Sequence, residues 1–176
     1  MGFSDPTVTI SQLSLAPGAQ VADLGSGSGF YALALAREVG DSGRVFAVDV
    51  QKDLLTRLKT QANKEHLYNI EVIWGDLERR GGTKLKDASV DDVVISNVLF
   101  QISEKDAFAD EARRIVKRGG RLLIVDWSDS FGGMGPQPEH IFTEGEAREL
   151  FERHGFVLER SIEAGEHHYG IIMRTK

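Results

Sequence analysis

Residues 21–30 read Val-Ala-Asp-Leu-Gly-Ser-Gly-Ser-Gly-Phe, VADLGSGSGF, and this stretch decides the fold. An apolar run leads into Asp23, glycines follow at positions 25, 27 and 29, and an apolar helix-forming stretch, FYALALAREV, comes next. That is the order strand, tight turn, helix. It sets backbone amides and a helix N-terminus beside whatever lies in the turn. A dinucleotide fingerprint spaces its glycines G-x-G-x-x-G. Here the third position after Gly27 is Phe30, so the pattern is G-x-G-x-G. The spacing argues against a pyrophosphate cradle, and against a nicotinamide oxidoreductase, and for a turn that lies against a smaller ligand.

Outward from this run, strand-like and helix-like segments alternate. The pattern predicts a short helix over 6–14, with Asp5 as N-cap and Pro6 at the first helical position. Strands are expected at 20–24, 44–49, 70–74, 92–97 and 121–127, the last after a Gly119–Gly120 stop. Between them helices are expected at 29–39, at 52–66 with Leu54, Leu55, Leu58 and Ala62 on one face, and at 104–116 with Ser103 as N-cap. A Gly/Pro-rich loop, DSFGGMGPQP, then precedes a Thr143/Glu146 capping box opening a helix that ends near His154. FVLERSIEA and HYGIIMRT read as a closing β-hairpin. Repeated β-α units with near-continuous apolar strands imply an α/β doubly wound parallel sheet with helices on both faces. Such sheets bind ligands at the carboxyl ends of their strands. Those ends are Asp23–Gly29, Asp49–Val50, Gly75–Leu77, Ser96–Leu99 and Asp126–Ser128, with the turn 164–168 expected at the same rim.

The bulk properties narrow the class. The 176 residues suit one domain spanning 1–176. A net charge of −6 argues against a nucleic-acid partner, and the basic group Arg113, Arg114, Lys117 and Arg118 reads as cations at a helix C-terminus. With no cysteine, disulfides, thiolate metal sites and cysteine nucleophiles are excluded. No apolar run reaches membrane-spanning length and no signal-peptide pattern opens the chain, so a cytoplasmic location is expected. Gly2 invites an N-myristoylation reading, but Pro6 stands where that pattern wants Ser or Thr.

Three strand ends carry chemistry. Asp49 can accept both hydroxyl hydrogens of a ribose, or simply serve as negative charge at a helix N-terminus. Asp76 can accept from an exocyclic amine while the Leu77 amide donates to a ring nitrogen, or the pair can be a turn. Asn97 can expose a carbonyl to an ammonium group, or terminate its strand.

Taken together, VADLGSGSGF, VFAVDV, VIWGDLE, DDVVISNVLFQI, RIVKRGGRLLIVDW and the terminal HYGIIMR resemble the class I S-adenosylmethionine-dependent methyltransferases, in the small-molecule menaquinone/ubiquinone-type (type 11-like) branch. The resemblance covers nearly the whole chain. It implies a Rossmann-like seven-stranded sheet of order 3-2-1-4-5-7-6 with strand 7 antiparallel. It also implies that the Gly25–Gly29 turn, with Ser26 and Gly27, packs on the methionyl part of the cofactor, that Asp23 orients the ammonium, and that Asp49 holds the ribose. Val50 and Leu77 would sandwich the adenine, Asp76 would read its amine, and the Asn97 carbonyl would complete the ammonium site. Gly75 and Val98 are expected beside them.

Departures from related patterns restrict the reaction. Asn97-Val98-Leu99-Phe100 is not the (Asn/Asp)-Pro-Pro-(Tyr/Phe) signature associated with amide or base nitrogen methylation. Strand 5 ends Asp126-Trp127, not in an Asp-Asn pair resembling a catechol-type magnesium site, so no metal is expected. The lack of cysteine disfavours arsenite and C5-pyrimidine methylation, which in similar families use thiolates. Candidate catalytic or substrate-contacting residues are Tyr31, equally readable as a core residue; His140, also readable as a surface loop residue; His167, His168 and Tyr169, where a histidine could serve as a base or the group could simply pack in the hairpin turn; and Trp127, an apolar wall for an acceptor or packing under the following loop. The expected activity is methyl transfer to a small molecule by in-line displacement, driven mainly by proximity. Only the first helix and residues 128–142 are available as a lid, which predicts an open acceptor site or one completed by a second copy or a partner. A rival reading is a non-catalytic S-adenosylmethionine-binding module acting through a protein partner.

Overall fold

In the computed structural model, which describes residues 4–176, the chain forms a seven-stranded sheet in the order β3-β2-β1-β4-β5-β7-β6. The elements are α1 (Pro6–Ser11), β1 (Gln20–Leu24), α2 (Phe30–Val39), β2 (Arg44–Asp49), α3 (Lys52–Lys64), β3 (Ile70–Trp74), β4 (Val90–Ser96), α4 (Lys105–Ile115), β5 (Val116–Trp127), α5 (Glu144–Arg153), β6 (Phe156–Ile162) and β7 (His168–Thr175). Strands β1 to β5 are parallel, whereas β7 runs antiparallel to both β5 and β6. The seven-stranded order and the antiparallel last strand are those the sequence resemblance implies. Gly2 lies outside the described residues. No helix among them is long and apolar enough to cross a membrane.

Strand periodicity sorts the two cores. Ala22 and Leu24 of β1 pack toward α4 and α5, where Phe108, Phe151 and Phe156 meet edge to face. Val21 packs on the opposite face, with α1, α2 and α3. By the same alternation Asp23 projects to the α1–α3 face, between its register partners Ala47 of β2 and Val94 of β4. An acidic side chain is thereby set in an apolar layer at the carboxyl edge of the sheet.

Several boundaries depart from expectation. Helix α1 ends at Ser11, with Asp5 capping the Thr7 amide as expected. The chain then leaves the helix through Ser14 (φ +51°), which lets Leu13 and Leu15 enter the core. Ser103 is not the cap of α4. The N-cap is Glu104, without a side-chain bond of its own, and the Glu78 carboxylate arrives from the β3–β4 connection to accept from the Ser103 and Glu104 amides at 3.0 and 2.6 Å. Gly119–Gly120 is no stop either, since β5 already begins at Val116 and the pairing with β4 shifts register between Val90 and Asp92. A side chain at Gly120 would place its Cβ 2.5 Å from the Asp91 carbonyl oxygen, so the glycine permits an irregularity inside the strand. The Thr143/Glu146 capping box is formed in full. Of the basic group, Arg113 and Arg114 do lie in the last turn of α4. Arg114 also joins a buried network in which Glu111 accepts from Gly81, Thr83 and Arg114, tying the β3–β4 connection to α4.

Candidate active site

A cavity of about 690 Å³ opens at the carboxyl ends of β1, β2, β3 and β4. The glycine turn forms one wall. The Gly25 and Ser26 amides donate to the Val48 carbonyl, and the Gly27 amide donates to Asp49 Oδ2 at 2.8 Å. The glycines do different work. A Cβ at Gly29 (φ +86°) would stand 2.3 Å from Leu58 Cδ1, so this position lets α2 begin against α3. At Gly27 (φ +51°) a Cβ would meet only the Gly25 carbonyl oxygen, at 4.0 Å, so its bare face is open to a ligand.

Of the residues singled out in the sequence, Gly25, Ser26, Gly27, Tyr31, Asp49, Val50, Asp76, Leu77, Asn97 and Val98 line this cavity. Asp23, Gly29 and Gly75 are not on its wall. Gly75 is packed against the Gly82 carbonyl oxygen, which would lie 2.3 Å from a Cβ there. Asp23 is buried behind the wall and interacts electrostatically with Asp49 and Tyr31.

The two histidine candidates are not brought to the wall. His140 is an exposed residue of a single 3₁₀ turn, Pro138–His140. His168 pairs with Trp127 across β5 and β7, its ring centroid 4.4 Å from the indole, with Nδ1 3.1 Å from the Glu166 carbonyl oxygen. That carbonyl can only accept, so Nδ1 carries the hydrogen. Burial lowers the His168 pKa. His167 stacks on Phe131 and bonds Asp129, pinning the 128–142 loop to the hairpin turn. Tyr31 satisfies both of its readings, being 6% exposed in the core and also on the cavity wall, with its hydroxyl 2.7 Å from Ser4 Oγ.

Several buried polar atoms beside the cavity have no hydrogen-bond partner within the protein. Both oxygens of Asp23 lack a hydrogen bond, as do Ser26 Oγ and the buried Asn97 Oδ1. Burial and the nearby Asp49 push the Asp23 pKa up to about 7, and the Ala32 amide offsets part of that shift without closing a hydrogen bond. A buried polar atom left unpaired costs about 1–3 kcal/mol, so this grouping is expensive unless something binds. Asn97 is itself held at φ +53°, outside the usual range for a residue with a Cβ.

Strand-end inspection left several contributors without a role. Gln101 and Ile102 line the cavity from the turn after β4, and Gln101 Nε2 donates to the Asn97 carbonyl at 3.3 Å. Ser4, Pro6, Phe30 and Glu78 also line it. Asp126 accepts from the amides of Val98, Leu99 and Trp127 and so holds the β4 loop in place, while burial pushes its pKa up to about 6. Its position at a strand end was visible, but not its role across two strands.

The residues present fit S-adenosylmethionine, the cofactor implied by the sequence resemblance. An unpaired buried carboxylate and amide oxygen suit an ammonium group, Asp49 suits a diol, and Val50 and Leu77 offer apolar contact to a flat ring.

Comparison with known proteins agrees. Residues 15–163 match the sequence family described as "Methyltransferase domain". An arsenite methyltransferase of Halobacterium salinarum is 36% identical over 64% of this chain and 28% of its own length. The ubiquinone/menaquinone biosynthesis C-methyltransferase UbiE of Cupriavidus metallidurans is 30% identical over 68% of this chain and 48% of its own. The chain thus spans between about a quarter and a half of these curated relatives. The crystal structure of a SAM-dependent methyltransferase from Aquifex aeolicus superposes with a TM-score of 0.89 at 30% identity, over 99% of this chain and 91% of that one. On its sequence family, its sheet order and this structural match, the chain belongs to the class I S-adenosylmethionine-dependent methyltransferases.

Proposed function

We propose that this chain transfers a methyl group from S-adenosylmethionine to a small-molecule acceptor, and that its cofactor site is the cavity at the carboxyl ends of β1 to β4. The observation that carries the reading is that Ser26, Gly27 and Asn97 line one cavity, with Ser26 Oγ and Asn97 Oδ1 unpaired and the unpaired Asp23 carboxylate buried behind its wall. In this assignment Asp23, from behind the wall, and the Asn97 carbonyl, which also accepts from Gln101, orient the ammonium. The Gly25–Gly27 turn packs on the methionyl chain, and Asp49 takes the ribose hydroxyls while keeping its bond to the Gly27 amide. Val50 and Leu77 enclose the adenine. Asp76 reads the exocyclic amine from a carboxylate that is half exposed and paired with Arg79. Gly29 and Gly75 act by packing, behind the wall.

When bound, the cofactor supplies a methyl group on a sulfonium that is ready to leave. The protein's part is alignment: holding the acceptor in line with the methyl–sulfur bond is worth up to roughly 7–11 kcal/mol by effective-molarity arguments. Tyr31, anchored by Ser4 and with burial raising its pKa further above neutrality, is suited to orient an acceptor by hydrogen bonding rather than to remove its proton. An acceptor that arrives deprotonated, or needs no base, suits this wall best. Although the arsenite enzyme is among its relatives, this chain's 176 residues contain no cysteine, which favours an organic acceptor over a thiolate-held metalloid. Phe30 and Val50, 71% and 56% exposed, put apolar surface at the cavity that an apolar acceptor or a covering subunit would bury.

A second reading is a cofactor-binding module that performs no chemistry itself, and it uses the same cofactor residues. Calorimetry with S-adenosylmethionine tests the cofactor site. Asp49→Ala should weaken binding roughly a hundredfold, the effect of about 3 kcal/mol expected for charge-assisted hydrogen bonds. Asp129→Ala should leave it unchanged. Equal losses would refute the site, and tight binding without turnover across a broad acceptor panel would favour the second reading.

A further inference from the structure

Asp23 is fully buried with neither oxygen hydrogen-bonded, between the apolar register partners Ala47 and Val94. The groups that face it are the Asp49 carboxylate from β2 and, from α2, the Tyr31 hydroxyl and the Ala32 amide. Asp5, ahead of α1, adds further negative charge near Tyr31. None of these is a cation, and Asp49 is already committed to the Gly27 and Gln51 amides. A carboxylate so placed has no protein hydrogen bond and no counter-charge to keep it ionised.

We propose that ligand-free Asp23 is a neutral carboxylic acid that gives up its proton to solvent when the cofactor's ammonium group arrives, so that the site takes up its cofactor by exchanging one cation for another. The balance is simple: the Asp23 O–H bond breaks, the proton leaves to water, and a carboxylate–ammonium pair forms. The proposal rests on the cofactor assignment above and adds that its affinity depends on pH. The raised Asp23 pKa, about 7, sets the window. Above it the exchange costs nothing, and below it affinity falls about tenfold for each pH unit. A product or cofactor analogue without the amino-acid end would escape the effect.

The test is calorimetry at about pH 6 in phosphate and in Bis-Tris, whose different ionisation enthalpies report proton transfer. At that pH the ligand amine is already protonated and supplies no proton. S-adenosylhomocysteine should release about one proton on binding the wild-type protein. Methylthioadenosine, which lacks the ammonium, should release none, and neither ligand should release any from Asp23→Asn. Proton release that persists in Asp23→Asn, or that appears with methylthioadenosine, overturns the proposal. No heat from either ligand sinks the cofactor assignment and this proposal with it. An independent measurement, NMR titration of the Asp23 carboxyl carbon in the free wild-type protein, should give a midpoint near 7. A midpoint in the ordinary carboxylate range overturns the proposal even if cofactor binding holds.

Discussion

The two halves of the sheet edge are built on opposite principles. At β1 and β4 the carboxyl ends carry polar side chains that the protein does not satisfy, beside an open cavity. At β5 and β7 the corresponding edge is covered by side chains, although the buried His168 Nε2 there also lacks a partner among the described residues. Trp127 lies against His168, His167 against Phe131 and Asp129, and the Tyr169 hydroxyl donates to the Phe142 carbonyl. The change falls where the sheet stops being parallel. Parallel strands all end on one edge and leave it to loops, whereas an antiparallel hairpin returns its own turn to that edge and covers it. The open ends border the cavity, and the side chains that cover β5 and β7 do not line it.

Substitutions sharpen this contrast. The largest effect is expected inside the open half but away from ligand. Gly29→Ala combines left-handed strain with a clash on Leu58, and should cost about 3 kcal/mol, a fall in Tm of roughly 6–12 °C by thermal denaturation. Gly27→Ala, facing open space, should cost only about 1 kcal/mol of stability while weakening cofactor binding more than Gly29→Ala does per unit of stability lost. If the two variants behaved alike, the division between packing and ligand glycines would be wrong. In the closed half, His168→Ala removes the ring tilted against Trp127 and should lower stability by about 1 kcal/mol with cofactor affinity unchanged. A marked loss of affinity in calorimetry would extend the binding site across β5.

The smallest effect lies on the helices behind the sheet. His154, at the C-cap of α5, meets Asp110 and Asp106 of α4 at 2.7 and 2.8 Å. Burial opposes its charge, but these two bonds outweigh it and raise its pKa. Its folded pKa therefore lies above its unfolded one. The stabilisation is complete below the unfolded value of about 6.5 and disappears as pH rises through the folded value. Both aspartates are largely exposed, so about 1 kcal/mol is expected. Denaturant titration of His154→Gln should show that deficit at about pH 5.5 and little of it at about pH 9; an equal deficit at both would mean that packing, not charge, is lost.

Local signals were legible in the sequence and long-range ones were not. The capping box at Thr143 and Glu146 lies within one helical turn, and the alternation of apolar strands with amphipathic helices is written in short segments. The cap on α4 was missed because its acceptor, Glu78, lies 25 residues before Ser103. Gly119–Gly120 reads as a terminator until the Asp91 carbonyl beside Gly120 shows why a side chain is excluded. At the site, the strand-end rule placed Asp49, Asp76 and Asn97 at the cavity, but it treated every strand end as equivalent. It therefore put His168 among the candidates and gave Asp126 no role as the anchor of the β4 loop.

The chain's own order of residues determined the doubly wound architecture, the glycine turn and the chemical character of each strand end, because these follow from periodicity, turn stereochemistry and side-chain type over a few neighbouring positions. Only the tertiary structure decided which of those ends stay unsatisfied. Whether Asp23 finds a donor, or whether His168 meets a cavity or an indole, depends on groups brought together from β2, α2, β5 and β7. Burial and counter-charge are properties of that assembly, and no single stretch of sequence contains them.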